Sequence, residues 1–533
     1  MREQLLLREK AEFEVFRPWL QPPRVRILMV TDGEGMFSTS HRFGLGDVIE
    51  ILADDPWWWV SFEVTTAHRD DVPVSLTSTN RGLAAYPGRA ASPGKAALPA
   101  KTLHFNLKFF GDSRPALALG NFDEVWLFGI GGSLALTAAE ITALRSFMDG
   151  GGGVLAMGDH SELGAPLCSE IPRVKHMRKW KAGGPAGTPP PAFGASRIDT
   201  LRAGPTAGFQ FQDQSDAVPQ PIFPTRYYEG LASTVLRRHW HPHPVLCGID
   251  GVIDVLPDHM HEGECVVASP LPAGDFPGGV LPEVIATAEV LPHTTDNSSE
   301  GPFGVDVVST ARTFGILGAY DGQDPAANVG RIVVDATWHH WVHVNLVGFV
   351  SGAPASPEFA KIRNYYWNVA LWLAPRTLRS AILYTAVYGL PWLQPFDELR
   401  AERGLDVYWL GIEAIDALGR RAGQCAVSEW VDLLWVELYV PLLSDLPDPP
   451  PYEDILQRFA AAMLGGMVRQ SMALAPEAAR GKRSEAKIAA ALREGAHAGF
   501  HHNLDRERER HKQRQGFLAR LDDTGPRKDT VRK

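Results

Sequence analysis

In the first third of the chain the apolar residues come in short unbroken runs instead of alternating with polar ones. The runs are "RVRILMV" (24–30), "WWWVSFEVTTA" (57–67), "FDEVWLFGI" (122–130) and "VLAM" (154–157). Runs this short, rich in aliphatic and aromatic residues, predict strands buried on both faces. Between the first two lie a polar turn, "TDGEGMFSTSHR", and a helical pattern, "FGLGDVIEILADD". Between the last two, Thr137 and Glu140 have capping-box spacing, and Ile141, Leu144, Phe147 and Met148 keep a helical period. The "GGGG" at 150–153 then ends that helix by allowing positive φ. Strand, helix and strand in this order predict right-handed crossovers and a parallel sheet.

Further along, residues 81–101 are rich in Ala, Pro and Gly and predict a flexible or irregular excursion. Residues 169–240 predict a long insertion, basic at first and then aromatic, of the length that makes lids or binding elements. Strand patterns resume in "PVLCGIDGVIDVLP", "CVVASPL", "EVIATAEV", "TFGILGAYDG" and "GRIVVDATWHHW". Beyond about residue 355 the period becomes helical, in "EFAKIRNYYWNVALWLA", "DVYWLGIEAIDALGRRAG", "SEWVDLLWVELYVPLL" and "YEDILQRFAAAMLGGMVRQSMAL". The expected organisation is a helical lead-in at 1–23, an α/β domain at 24–352, a helical domain at 353–480 and a charged, partly disordered helical tail at 481–533.

Composition narrows the class. With 533 residues, 45% of them apolar, the chain is long enough for more than one core. The net charge of −10 is uneven. Residues 482–533 hold 14 Lys and Arg against 8 Asp and Glu, so +6 there leaves −16 on the rest. An acidic body argues against broad nucleic-acid binding, and the mixed-sign tail predicts a solvated helix with i,i+4 pairs. Cys168, Cys247, Cys265 and Cys425 show no close or paired spacing, so neither disulfides nor a zinc ribbon is expected and a reducing, cytoplasmic compartment fits. "MREQLLLREKAEFEVF" lacks the pattern of a secretory signal, and runs such as "WNVALWLA" are too short to span a bilayer. No membrane or nucleic-acid partner is expected.

Three stretches in order, "RILMVTDGEGMFSTSHR", "FDEVWLFGIGGSLALTAAEITALRSFMDGGGGVLAMGDHS" and "GRIVVDATWHH", resemble the class I glutamine amidotransferase-like superfamily, and within it the ThuA-like (trehalose-utilisation) branch. The resemblance covers roughly residues 24–350 and leaves the helical C-terminal third outside it. It implies an α/β fold: a flavodoxin-like, doubly wound, mostly parallel sheet with a long insertion, followed here by an α-helical C-terminal domain. Ligands of such sheets sit at the carboxyl ends of the strands. Catalytic members present a Cys at the elbow after "VLAM", and a His after a late strand with a Glu two residues on. Here the elbow position is His160, and two residues beyond His339 and His340 stand Trp341 and Val342. Glutaminase chemistry is therefore not expected, because an imidazole cannot form the thioester that a thiolate forms. ThuA-like relatives tend to carry His-Ser or His-Ala at this elbow and a His after the first strand's loop, which His160-Ser161 and His41 match.

The candidate catalytic residues are accordingly His160, Asp159, His339, His340, Asp32 and His41, since imidazoles at strand ends suit proton transfer near neutral pH. On a continuing strand, neighbours point to opposite faces, so at most one of His339 and His340 should face the site. Gly131 and Gly132, in "GIGGS", lack the third glycine of a dinucleotide fingerprint but can offer backbone N–H groups to an anion. Arg173 and Arg178, in "PRVKHMRKWK", are candidates to hold a carboxylate or phosphate; the bland alternative is a cationic face paired with the acidic body. A divalent metal is the candidate cofactor, with His259, His261 and Glu262 of "PDHMHEGE" as ligands, against the alternative of a polar surface loop. Cys168 is expected to be a small buried residue and not a displaced nucleophile.

Two function classes follow. One is a protein that binds or transforms a small polar, by resemblance sugar-derived, molecule with His groups at the strand ends. The other is a ligand-sensing or scaffold protein whose C-terminal helices bind a protein partner, which would expose an apolar face there.

Overall fold

The computed structural model describes residues 21–33, 35–41, 43–54, 57–69, 85–93, 95–100, 117–158, 162–181, 185, 220–230, 239–256, 263–290, 293–295, 307–309, 312–343, 345–346, 357–393, 396, 405–438, 453–478 and 485–523. Its centre is an eight-stranded sheet. In chain order the strands are β1 (Arg24–Thr31), β2 (Ser61–His68), β3 (Glu124–Phe128), β4 (Gly153–Met157), β5 (Phe223–Pro224), β6 (Glu283–Val290), β7 (Arg312–Tyr320) and β8 (Ile332–Asp335). Their spatial order is β2-β1-β3-β4-β8-β7-β6-β5. The first five of these neighbours run parallel, and β7, β6 and β5 extend the sheet antiparallel.

The apolar runs explain the parallel part. Every residue of β3, β4 and β8 is buried, which requires cover on both faces. Helix α1 (Gly46–Ala53) joins β1 to β2 on one side of β1, and α2 (Ala138–Asp149) joins β3 to β4 on the other. Right-handed crossovers leading in opposite directions place α1 and α2 on opposite faces. The predicted capping box is present. Thr137 N donates to Glu140 Oε2 at 2.6 Å, and Glu140 N donates to Thr137 Oγ1 at 3.3 Å. Burial would push the Glu140 carboxyl up, but the Arg69 guanidinium at 2.9 Å and the cap together hold it below the usual range.

After the single turn α3 (Ala165–Cys168) come the C-terminal helices: α4 (Pro357–Leu373), α5 (Arg376–Gly389), α6 (Val407–Ala422), α7 (Gln424–Leu438), α8 (Glu453–Ala478) and α9 (Glu485–Asp523). Helix α4 lies against β4 and β8 on the α1 face, so the sheet's cover continues past residue 352. The remaining helices dock through buried polar links. Trp57 Nε1 donates to Arg421 O at 2.9 Å, and Arg331 holds Asp321 at 2.7 Å and Glu429 at 2.9 Å. Arg379 shares Glu429 at 2.8 Å.

Three expectations are corrected and one, for residues 81–101, is made more specific. Trp57, Trp58 and Trp59 are buried ahead of β2 and not within it, stacking on one another and on Trp367 and Trp430. The described part of 81–101 is irregular but anchored: Arg89 binds Glu50 and Asp54 of the α1 region at 2.7 and 2.6 Å. The start of the tail belongs to the helical region, since α9 packs along α8 through Phe459 and Phe500. Finally, Cys247 and Cys425 form a disulfide between a short hairpin (Cys247–Gly248 with Gly251–Val252) and the first turn of α7. That bridge withdraws the argument for a reducing compartment, which rested on unpaired cysteines; with a separation of 178 residues, no local spacing announces it. No helix among the described residues is long and apolar enough to cross a membrane.

Candidate functional site

One row of the sheet organises the candidate residues. His68 pairs with Thr31, Thr31 with Phe128, Phe128 with Met157, and Met157 with Asp335. The next residues, Asp32, Gly129, Gly158 and Ala336, therefore leave the sheet side by side at the carboxyl ends of β1, β3, β4 and β8. Because β1 connects one way and β3 the other, the strand order reverses between them, the place where open sheets of this kind leave a crevice.

At that reversal Asp32 spans from β1 to β3. Its Oδ1 accepts from Ile130 N at 2.6 Å, and the residue is 1% exposed. The two loops lie backbone to backbone. A Cβ on Gly132 would stand 2.6 Å from Asp32 Cβ, and one on Gly33, whose φ is +52°, would stand 2.6 Å from Gly132 N. Gly132 thus serves close loop packing and Gly131 a φ of +131°, and the neighbouring Ile130 N–H is already given to a carboxyl oxygen. An anion there would meet the oxygens of Asp32. His68, fully buried at the end of β2, places Nε2 3.2 Å from Gly33 O, and Arg69 Nε binds Leu134 O at 2.9 Å, so both loops are also pinned from the β2 side.

After β4 the chain passes Gly158. Asp159, His160 and Ser161 lie outside the described residues, as do His259, His261 and Glu262. The chain resumes in a tight return, where a Cβ on Gly164 (φ +86°) would sit 2.7 Å from Gly158 Cα. Beside Gly158 stands Arg178, fully buried over the Trp180 ring, donating to Ala336 O at 2.7 Å through Nη2 and at 3.2 Å through Nε. Arg178 therefore joins the ends of β4 and β8. Arg173 does not come to this edge. It donates to Asp275 O at 2.6 Å and pairs with Asp149, which ends α2 ahead of β4's start. Lys179 pairs with Glu264 at 2.6 Å, Lys181 with Glu170 at 3.0 Å, and Lys175 and His176 with Asp275 at 3.7 and 3.2 Å. The cationic stretch is matched to the acidic body. Cys168 is fully buried, and burial pushes its thiol far above the ordinary value. Burial therefore disfavours its thiolate.

His339 and His340 correct the expectation of alternating strand faces. The strand ends at Asp335, and His339–Trp341 form a 3-10 turn. Thr337 Oγ1 accepts from His339 N at 3.1 Å and Asn345 Nδ2 donates to His339 O at 2.9 Å, which holds the turn closed. Both imidazoles are buried but face different surroundings. His340 Nε2 lies 2.7 Å from Asp335 Oδ2, which also accepts from Tyr365 OH at 2.9 Å and Trp341 Nε1 at 3.1 Å. Trp341 in turn packs edge-on against Trp126 and Phe128, under α4. His339 stacks on Trp338 at 4.3 Å, and Trp338 meets Phe43 edge-on at 5.2 Å. Phe43 N donates to His41 Nδ1 at 3.2 Å, so His41 is tied to this end of the sheet through the loop after β1.

One pair escaped the sequence reading. His343 Nδ1 lies 2.8 Å from Asp47 in the first turn of α1, and His343 N donates to Gly44 O at 2.8 Å. With the Phe43–Trp338 contact it closes the β1 loop onto the β8 turn, although β3 and β4 lie between those strands. A His three residues past a paired His carries no signal of its own; its partner is 296 residues away. The Asp47 hydrogen bond outweighs burial and raises the His343 pKa. A raised pKa stabilises the fold below the unfolded value of about 6.5 and loses that contribution as pH rises through the folded value. Thermal melts across roughly pH 5.5–8 should show wild type losing stability towards alkaline pH relative to Asp47→Asn. Parallel profiles would show that the pair contributes nothing.

Among the described residues no group of three His, Cys, Asp or Glu side chains could hold a metal ion. Comparison of the chain with known protein families finds no match, and comparison with curated proteins finds none either.

Proposed function

We propose that the chain binds a small polar molecule at the carboxyl ends of β1, β3, β4 and β8, and that His160 and His339 exchange protons with it. The observation that carries this reading is the register row from His68 to Asp335, which releases Asp32, the loop of Gly131 and Gly132, the segment leading to His160, and the His339 turn at one edge. The strand order β2-β1-β3-β4-β8 agrees with the order expected of a flavodoxin-like sheet and in that way supports assigning the chain to the ThuA-like branch of the class I glutamine amidotransferase-like superfamily. Asp32, already holding Ile130 N, favours a neutral, hydroxyl-rich ligand over an anionic one. The absence of a thiol at the elbow position and the burial of Cys168 favour proton transfer over covalent catalysis.

The test is a melting-temperature screen of neutral sugars and polyols beside sugar phosphates and carboxylates. A neutral compound at about 100 times its Kd should stabilise wild type by roughly 2.7 kcal/mol. His160→Ala and His339→Ala should each reduce that gain. Equal gains in all three proteins, or gains from the anionic compounds only, would remove the reading.

A second reading, a scaffold whose C-terminal helices hold a protein partner, is favoured by the exposure of Trp409 on α6, at 55%, beside Phe517 and Leu518 on α9, at 61% and 58%.

A further inference from the structure

The 39-residue helix α9 is longer than the bundle that it joins. It runs antiparallel to α8, with Gly495 against Gly466 and Arg458 reaching Glu507, so α9 continues past the start of α8 at Glu453. Where it leaves the bundle, it forms a groove of about 760 Å³ with the first turn of α6 and the start of α8. The groove has two chemistries. Its apolar part is Tyr408, Trp409, Phe517 and Leu518. Its charged part is Arg458, Arg506, Arg510 and Arg514. On α9 the lining positions 506, 510, 513, 514, 517 and 518 recur every three or four residues, so they form one stripe of the helix.

Ion pairs build the walls. Asp406 caps α6 by accepting from Tyr408 N at 2.8 Å and also holds Arg506, tying α9 to the start of α6. Glu507 holds Arg458 of α8 at 3.3 Å and Arg510 at 2.5 Å. Among the described residues, four guanidinium groups stand against Asp406, Glu507 and, through Gln513, Glu509, which leaves the groove cationic in a chain whose first 481 residues carry −16.

We propose that this groove is the docking site for an acidic, amphipathic helical segment of another protein. Its carboxylates would meet the arginines, and its apolar residues would cover Trp409, Phe517 and Leu518. This rests on the scaffold reading and adds the partner's chemistry. A second copy whose two-fold axis passes through the arginine cluster is disfavoured, because the two clusters would then face each other. A single-stranded nucleic acid is disfavoured too. It binds by stacking bases on successive aromatic faces, whereas the α9 stripe ends in the aliphatic Leu518 and the body of the chain is acidic. Helix-in-groove recognition instead uses i, i+3/i+4 apolar anchors, with charge setting the register.

The experiment uses the full chain and a fluorescein-labelled 20-residue helical peptide with Leu and Phe on one face and Glu on the other. The controls are the same peptide with Lys for Glu and a 20-nucleotide single strand. Anisotropy should show binding of the acidic peptide that weakens with salt. Arg514→Glu and Phe517→Ser, both on the projecting part of α9, should each weaken it at least tenfold without changing the melting temperature. Equal binding of the Lys peptide, or tighter binding of the oligonucleotide, would overturn the acidic-partner chemistry while leaving a docking groove. A groove-dependent dimer in sedimentation, lost in Phe517→Ser, would assign the face to a second copy. No binding of either peptide or of the oligonucleotide below a Kd on the order of 1 mM, with no dimer, would overturn the docking reading itself.

Discussion

Replacing both bridging cysteines, Cys247→Ala with Cys425→Ala, is expected to lower the stability of the fold by about 2–5 kcal/mol. The bridge closes a chain segment of 178 residues, and long loops lose the most unfolded-state entropy on closure. The hairpin bearing Cys247 is also held non-covalently: Asn368 Nδ2 donates to Cys247 O at 2.9 Å and Asn364 Nδ2 to Asp250 at 3.0 Å. The double variant should therefore fold, with an earlier urea midpoint. Wild type in excess reductant should move to the same midpoint, and the variant should not respond to reductant. Cys168→Ala with Cys265→Ala should keep the reductant response, since both of those thiols are buried and free. A wild-type midpoint indifferent to reductant would show that the bridge contributes nothing to stability.

Truncating Asp335 should cost as much. In the native fold one fully buried oxygen, Oδ2, accepts from His340, Tyr365 and Trp341. Asp335→Ala strands these three donors, and Thr337 N, which donates to Oδ1 at 3.4 Å, in a buried interior. Breaking a buried hydrogen-bonded Asp–His network by removing one partner costs about 3–5 kcal/mol. Asp335→Asn keeps an oxygen for Trp341 and Tyr365 but loses the carboxylate for His340, and should cost about 1–3 kcal/mol. Denaturant unfolding of the two variants measures both. A loss below about 1 kcal/mol for Asp335→Ala would show that the pocket relaxes or admits water. His340 would then be a candidate for the reacting group instead of a buried support.

The parallel half of the sheet was legible because its signals are local. A run such as "VWLF" declares two buried faces, and the Thr137–Glu140 box declares a helix start within four residues. The edge where the candidate residues gather followed from those elements, since Asp32, Gly131 and the His339 turn each follow a recognisable strand. What escaped depends on contacts far apart in sequence. Cys247 and Cys425 have no spacing that announces a bridge. Arg178 reads as one cation among several, and only the fold slides it beneath Ala336. The two-residue periodicity argument failed at His339 and His340 for a plain reason: the strand had ended at Asp335, and the Thr337 hydroxyl with the Asn345 amide closed a turn. Helix α5 lies within the expected helical domain, but its own start was not marked: Pro375 is the N-cap of Arg376–Gly389. The docking groove was hidden in a tail whose mixed charges suggested only solvation.

The placement of β8 also governs how the molecule comes into being. It is the last of the sheet strands in sequence, yet it lies inside the sheet between β4 and β7. Until residues 332–335 leave the ribosome, β4, whose sequence is "GVLAM", is an open edge with no polar guard. At roughly 5–20 residues per second, that edge waits on the order of 10–35 s for its partner. Nascent chains arrested before residue 332 should thus be the form of this protein that chaperones bind and that aggregates, even though they already contain β1 to β4.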